Sequence, residues 1–203
     1  MALPASDNFN RSDAATLGAN WTPADASIPH KIVSNTCVPS DVVNDLSYWS
    51  ADTFGNDHYA QVTVLGITNC GPAVRITGTG PNTGNAYLLV IDGTSHGIWK
   101  FTTNGTYTQL QSFTNFSTND VAKLQVVGTT LKAYQNGSQV GTDQADSALS
   151  SGSAGIWNYN NSASSLDDWS GDNVGSVTPA QELPAFAQAE QCGAGWTGLV
   201  YQL

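Results

Sequence analysis

The sequence predicts an all-β protein, an antiparallel sandwich of two sheets, and three observations carry that prediction. Short apolar runs alternate with Gly, Pro and Asn turn signals all the way from Phe9 to Trp169, the pattern of a sandwich or barrel. Thr and Val, which fit a pleated surface, fill those runs, while the Ala/Leu/Glu/Lys stretches of stable helices are missing. Asn136-Gly137 sits between two alternating segments and is a strong signal for a tight hairpin. A chain of 203 residues with 40% hydrophobic content can close one full core. Charged residues are only 11%, so Ser, Thr, Asn, Gln and Gly must form much of the surface.

The elements follow in order. His58 to Leu65 alternates, with Ala60, Val62 and Val64 on one face and Tyr59, Gln61 and Thr63 on the other. Ala73 to Thr77 is a second strand. Asn85 to Asp92 is apolar on both faces, as a central strand covered on each side should be. His96 to Thr102 and Tyr107 to Ser112 come next, separated by the Asn104-Gly105 turn. Val121 to Val140 is a three-stranded meander broken at Gly128-Thr129 and at Asn136-Gly137. Ser153 to Tyr159 and Ser165 to Ser170 supply two final strands. We therefore expect a sandwich over residues 1–175.

Residues 176–203 differ in character. Pro179 and Pro184 precede Ala-rich polar sequence, and the end carries Trp196, Leu199, Val200, Tyr201 and Leu203. Such a cluster is too apolar to prefer solvent, and apolar patches mark interfaces. The expectation is an arm that docks on a partner subunit or another protein, with a strap packed on its own sandwich as the alternative.

The 16 acidic and 6 basic residues give a formal charge of −10. Arg11, Lys31, Arg75, Lys100, Lys123 and Lys132 are scattered, so the basic patch that nucleic-acid binding needs is absent. No apolar run reaches the roughly 20 residues of a membrane helix. Met1 to Asp7 has neither a basic nor an apolar segment, so no secretory signal is expected there. Of three cysteines, Cys37 and Cys70 lie in turn-like contexts and could pair, leaving Cys192 over; three thiols are the alternative. Zinc is not expected, since no CxxC or HxxxH spacing occurs.

Several segments resemble laminin-G-like domains of bacterial and phage proteins in the concanavalin A-like superfamily. They are Asp7-Asn8-Phe9-Asn10-Arg11 with Leu17-Gly18-Ala19-Asn20-Trp21, the Lys123–Val140 meander, Ser151 to Ile156, and Leu166-Asp167-Asp168-Trp169. The resemblance covers roughly residues 7–172 and implies a two-sheet jelly roll with its first and last strands adjacent, bringing Phe9 near Trp169. Such folds carry lectins, glucanases, lyases and structural modules, so function must come from the site.

Glycoside hydrolysis needs two carboxyl groups flanking the scissile bond. The two glutamates, Glu182 and Glu190, lie outside the expected sandwich, and Asp167 and Asp168, adjacent on a strand, would face opposite sides. A polysaccharide lyase of this superfamily would need Arg, Gln, His and Tyr on one sheet; Arg75, His96, Tyr87 and Tyr134 exist, without the strand motifs. No catalytic residues are assigned, and His30, His58 and His96 are expected at strand ends as ordinary polar groups. Sugar binding needs an aromatic platform and a few orienting polar groups, for which Tyr87, Trp99, Tyr134 and Trp157 are the candidates. No cofactor is assigned. Calcium stays open, because related domains bind it at a loop rim; Asp41/Asp45, Asp52/Asp57 and Asp143/Asp146 are the acidic pairs available.

The expectation for function is a non-catalytic protein of a virion surface, in capsid decoration or a phage tail, with a structural and glycan-adhesion role. The alternative is an extracellular carbohydrate-binding module from a larger secreted protein.

Overall fold

The computed structural model describes residues 3–24, 30–40, 44–79, 83–94, 96–114, 116–159 and 163–175. The arm predicted at 176–203 lies outside the described residues, with Trp196, Leu199, Val200, Tyr201 and Leu203. Among the described residues fifteen strands form. Five short ones open the chain: β1 (Ala5–Asp7), β2 (Trp21–Pro23), β3 (Lys31–Val33), β4 (Thr36–Val38) and β5 (Asn44–Trp49). The next five are β6 (His58–Gly66), β7 (Cys70–Thr77), β8 (Asn85–Val90), β9 (His96–Thr102) and β10 (Thr106–Phe113). The last five are β11 (Val121–Val127), β12 (Thr130–Gln135), β13 (Ser138–Ala145), β14 (Ser153–Tyr159) and β15 (Ser165–Asn173).

These pair into two antiparallel sheets, a jelly-roll sandwich as the sequence predicts. The first runs β13-β12-β11-β6-β15-β4-β3, with β1 also paired to β15; the second runs β10-β9-β8-β7-β14-β5-β2. Alternation sets the faces. His58, Ala60, Val62 and Val64 of β6 are buried between the sheets, because a strand turns successive side chains to opposite sides. β8 is apolar on both faces: Tyr87 and Leu89 join the inter-sheet core, while Ala86, Leu88 and Val90 join a second apolar cluster on the outer face of their sheet.

Strand β1 pairs with β15 at Asp7 and Trp169, so the first and last strands are adjacent as the resemblance implies. Beside them the core holds an aromatic group. The Trp21 ring lies 6.0 Å from Phe9, 5.5 Å from Trp49 and 4.8 Å from Trp169, and Trp49 stacks on Trp169 at 5.3 Å. A bulge between Asp167 and Ser170, with Asp168 at φ 46°, interrupts the alternation expected there. In the predicted hairpin Asn136 and Gly137 both have positive φ, 50° and 82°, which a type I′ turn requires and which Gly adopts without steric cost.

One open alternative is decided and one expectation is corrected. Cys37 (on β4) and Cys70 (on β7) are separate buried thiols in opposite sheets, so they form no disulfide. The three histidines do lie at or beside strand starts, yet all are buried, His30 and His58 completely and His96 to 4% exposure. Their polar atoms therefore need partners inside the protein.

Candidate functional site

Of the four aromatic residues singled out from the sequence, the structure brings two together. Trp99 on β9 and Trp157 on β14 line a hollow of about 290 Å³ on the outer face of the second sheet. Tyr107, Tyr159, Val90, Asn69 and Asp92 complete it. Register places them: Trp157 and Tyr159 are two apart on β14 and share a face, with parallel rings 6.4 Å between centroids. Tyr107 reaches Trp157 at 6.1 Å, although four strand-to-strand steps separate β10 from β14. In a flat sheet that would be about 19 Å. The contact needs both side chains to lean inward over a sheet curled to this side.

Tyr87 is removed from the set. It is fully buried in the inter-sheet core, and its hydroxyl donates to Asp146 Oδ1 (2.6 Å) while accepting from the Leu149 amide (3.0 Å). Its phenol is pushed up to about 12 by burial first and by the Asp146 bond second. Tyr134 is removed as well, because it stands on the outer face of the other sheet. There the Lys123 ammonium lies 4.4 Å from its ring and 5.1 Å from that of Tyr59. That arrangement is a surface cation–π clamp a whole sandwich away from Trp99.

Indole hydrogen bonding separates the hollow from the core. Trp21 donates to Asp7 Oδ2 (2.8 Å), Trp49 to Asp52 Oδ2 (2.9 Å) and Trp169 to the Gly155 carbonyl (3.2 Å). Trp99 and Trp157 have buried Nε1 atoms without a hydrogen-bond partner. Burial pushes the Tyr107 phenol up, and the neighbouring Trp157 indole offsets this in part. Tyr159 is 38% exposed and presents its ring at the rim. The polar groups of the rim are Asn69, held at φ 48° in the turn before β7, and Asp92, whose Oδ1 accepts from the Thr94 amide at 3.0 Å. Sequence reasoning missed Tyr107, Tyr159, Asn69 and Asp92. The i, i+2 pair Trp157/Tyr159 was the one signal that could have found a member.

A larger cleft, about 590 Å³, opens at the end of the sandwich around Asn56, Asp57, Arg75 and Leu149. Its one cation is already spent. Arg75, at a bulge of β7 with φ 52°, donates to the carbonyls of Asn56 (3.1 and 3.3 Å), Leu149 (2.6 Å) and Gly128 (2.6 Å). It is a buried strut between loops, with four of its five N–H donors on backbone carbonyls and the Asp57 carboxylate 3.8 Å from Nη2. With Arg75, Tyr87 and His96 buried and Tyr134 on the opposite sheet, the residues considered for a lyase do not converge on one surface.

The histidines hold segments together. Asn158 donates to Ser164, so its Oδ1 accepts from His30 Nε2 (2.9 Å), and His30 Nδ1 accepts from the Ser47 hydroxyl (2.8 Å). His58 Nδ1 donates to the Gly55 carbonyl (2.7 Å), and its Nε2 accepts from the Arg75 amide (3.1 Å). Burial holds both imidazoles down at about 4.

Among the described residues no group of three His, Cys, Asp or Glu side chains could hold a metal ion. The candidate acids brace the fold. Asp52 accepts from Trp49, Asp57 from the Gly128 amide, Asp143 pairs with Lys132 and Asp146 with Lys100. Asp41 and the side chain of Asp45 lie outside the described set.

No protein-family model matches this chain, and no curated protein sequence does. Solved structures do. A carbohydrate-binding module, CBM66 from Bacillus subtilis, aligns over 78% of this chain and 95% of its own, at TM-score 0.53 and 14% identity. A GH43 protein, BlXynB from Bacillus licheniformis, aligns over 83% of this chain and 39% of its own, at TM-score 0.51 and 10% identity. At such identities the likeness is one of fold, and the fold is the two-sheet antiparallel jelly-roll sandwich that the sequence predicts.

Proposed function

We propose that this protein is a non-catalytic carbohydrate-binding domain that holds its sugar in the aromatic hollow of the second sheet. One observation carries the reading: Trp99, Tyr107, Trp157 and Tyr159 converge on one concavity with Asn69 and Asp92 at its rim. Sugar rings have an apolar face of C–H groups for aromatic rings and a hydroxyl edge for a few fixed polar groups. The unpartnered indole N–H groups of Trp99 and Trp157 call for oxygen acceptors, which hydroxyls supply. That CBM66 from Bacillus subtilis, a carbohydrate-binding module, shares the fold supports the reading by analogy. The virion-surface role expected from the sequence drew on the low charge content, the missing signal segment, a sandwich without paired catalytic acids and the arm at 176–203, and nothing in the structure or the comparisons points to a virion. The binding role is common to both sequence readings.

The test is a glycan array probed with labelled full-length protein, repeated with Tyr159→Ala and Trp157→Phe. Tyr159 is partly exposed, so its loss should leave the urea midpoint unchanged while weakening binding about ten-fold, in line with one aromatic contact. Folded variants that bind as the parent does would sink the assignment.

A further inference from the structure

We infer that the hollow selects an uncharged sugar and takes a single residue of it, an inference that rests on the binding role just proposed. Charge decides the first part. No lysine or arginine lines the hollow, and among the described residues its one ionisable group besides the two tyrosines is the Asp92 carboxylate.

The cations of the chain are placed elsewhere. Arg11 pairs with Asp7, Lys100 with Asp146 and Lys132 with Asp143. Arg75 spends its donors on backbone carbonyls, Lys123 lies between Tyr59 and Tyr134, and Lys31 belongs to β3 of the other sheet. A uronate, sialate or sulfate ester entering the hollow would meet the Asp92 carboxylate and no lysine or arginine, in a protein whose formal charge is −10. Like charges at close range in a partly desolvated site oppose binding. A neutral sugar gives Asp92 hydroxyl donors instead, and a carboxylate accepts such bonds more strongly than a neutral group does.

Size decides the second part. About 290 Å³ is the lower end of small-molecule pockets. In strand order Val90 (β8) lies between Trp99 and Tyr107 (β9 and β10) on one side and Trp157 and Tyr159 (β14) on the other. An extended chain lying across the sheet would have to pass over these rings, whereas a terminal or branch sugar enters among them.

The experiment is an array on which each neutral glycan is printed beside its sialylated or sulfated counterpart, probed with the full-length chain and with Asp92→Asn. The neutral member should bind about ten-fold more strongly, and Asp92→Asn should narrow that preference to about three-fold. The methyl glycoside of the terminal sugar should inhibit binding within about ten-fold of the parent oligosaccharide. Equal or stronger binding of the acidic counterpart overturns the charge inference and leaves the binding role standing. Inhibition by long oligosaccharides alone overturns the single-residue inference. Binding to no glycan, or binding that folded Tyr159→Ala leaves intact, overturns the binding role and this inference with it.

Discussion

Acid should weaken this protein between pH 6.5 and 4, before most of its carboxylates titrate, and two histidines are the cause. His30 and His58 bind a proton at about 4 in the folded chain, chiefly because burial disfavours the charged ring. In the unfolded chain each binds it near 6.5. A depressed folded pKa means that the unfolded state takes up protons first as pH falls. The stability tied to each neutral ring is therefore fully present above pH 6.5, declines through the window and is gone below 4. The whole effect is about 3 kcal/mol per histidine, and about 2 kcal/mol of it is lost by pH 5. Two such sites remove about 4 kcal/mol, a large share of an ordinary domain's stability.

Geometry separates the two rings. Protonated His30 can keep both bonds if the Ser47 hydroxyl turns to accept. Protonated His58 cannot, because its Nε2 would face the Arg75 amide donor to donor. Urea unfolding followed by tryptophan fluorescence at pH 7.5, 6 and 5 measures the sum. His58→Gln should remove about half of the pH dependence at a constant baseline cost. Imidazole NMR titration reads the sites directly, since the chain has only 3 histidines. A change below about 1 kcal/mol from pH 7.5 to 5, or resonances of His30 and His58 that titrate near 6.5, would refute the reasoning.

Other perturbations test other parts of the fold. Trp169→Ala opens the aromatic group between the sheets and strands the Gly155 carbonyl; it should cost about 3–5 kcal/mol in urea unfolding. Arg75→Met leaves the carbonyls of Asn56, Leu149 and Gly128 without their shared donor, at a cost of about 2–4 kcal/mol. Faster amide exchange confined to the segments around residues 55–57 and 147–150 should accompany it. Cys37 and Cys70 are buried, and burial pushes the Cys70 thiol up to about 12. Ellman's reagent should therefore reach neither before unfolding, and reductant should leave the urea midpoint unchanged.

Strands were legible where burial imposes a period. His58 to Leu65 alternates because one face meets the core, and Asn85 to Val90 is apolar throughout because both faces of β8 are covered. β1 to β4 show no period in the sequence, since each has three residues. β13 runs on to Ala145, past the predicted end at Val140, because it is an exposed edge strand with no buried face to impose a pattern. The site was half legible for the same reason. Trp99 and Trp157 stand out in any list of aromatics, but Tyr87 and Tyr134 stand out equally. One residue of register puts Tyr87 inside and its neighbours Ala86 and Leu88 outside.

What sets the hollow apart from a second patch of packing is how tryptophan is treated in the two places. The three tryptophans packed between the sheets each have an acceptor for the indole N–H, at distances from 2.8 to 3.2 Å. The chain supplies these with two carboxylates and a backbone carbonyl, as buried donors require. Trp99 and Trp157, in the same fold, have none. Each orphaned donor costs about 1–3 kcal/mol, and a phenylalanine at either position would keep the apolar contact at no such cost. Packing therefore explains the rings and leaves the N–H groups unexplained. A ligand with oxygen atoms at the edge of an apolar face accounts for both, and the Trp157→Phe variant, which keeps a ring and deletes the donor, separates the two contributions.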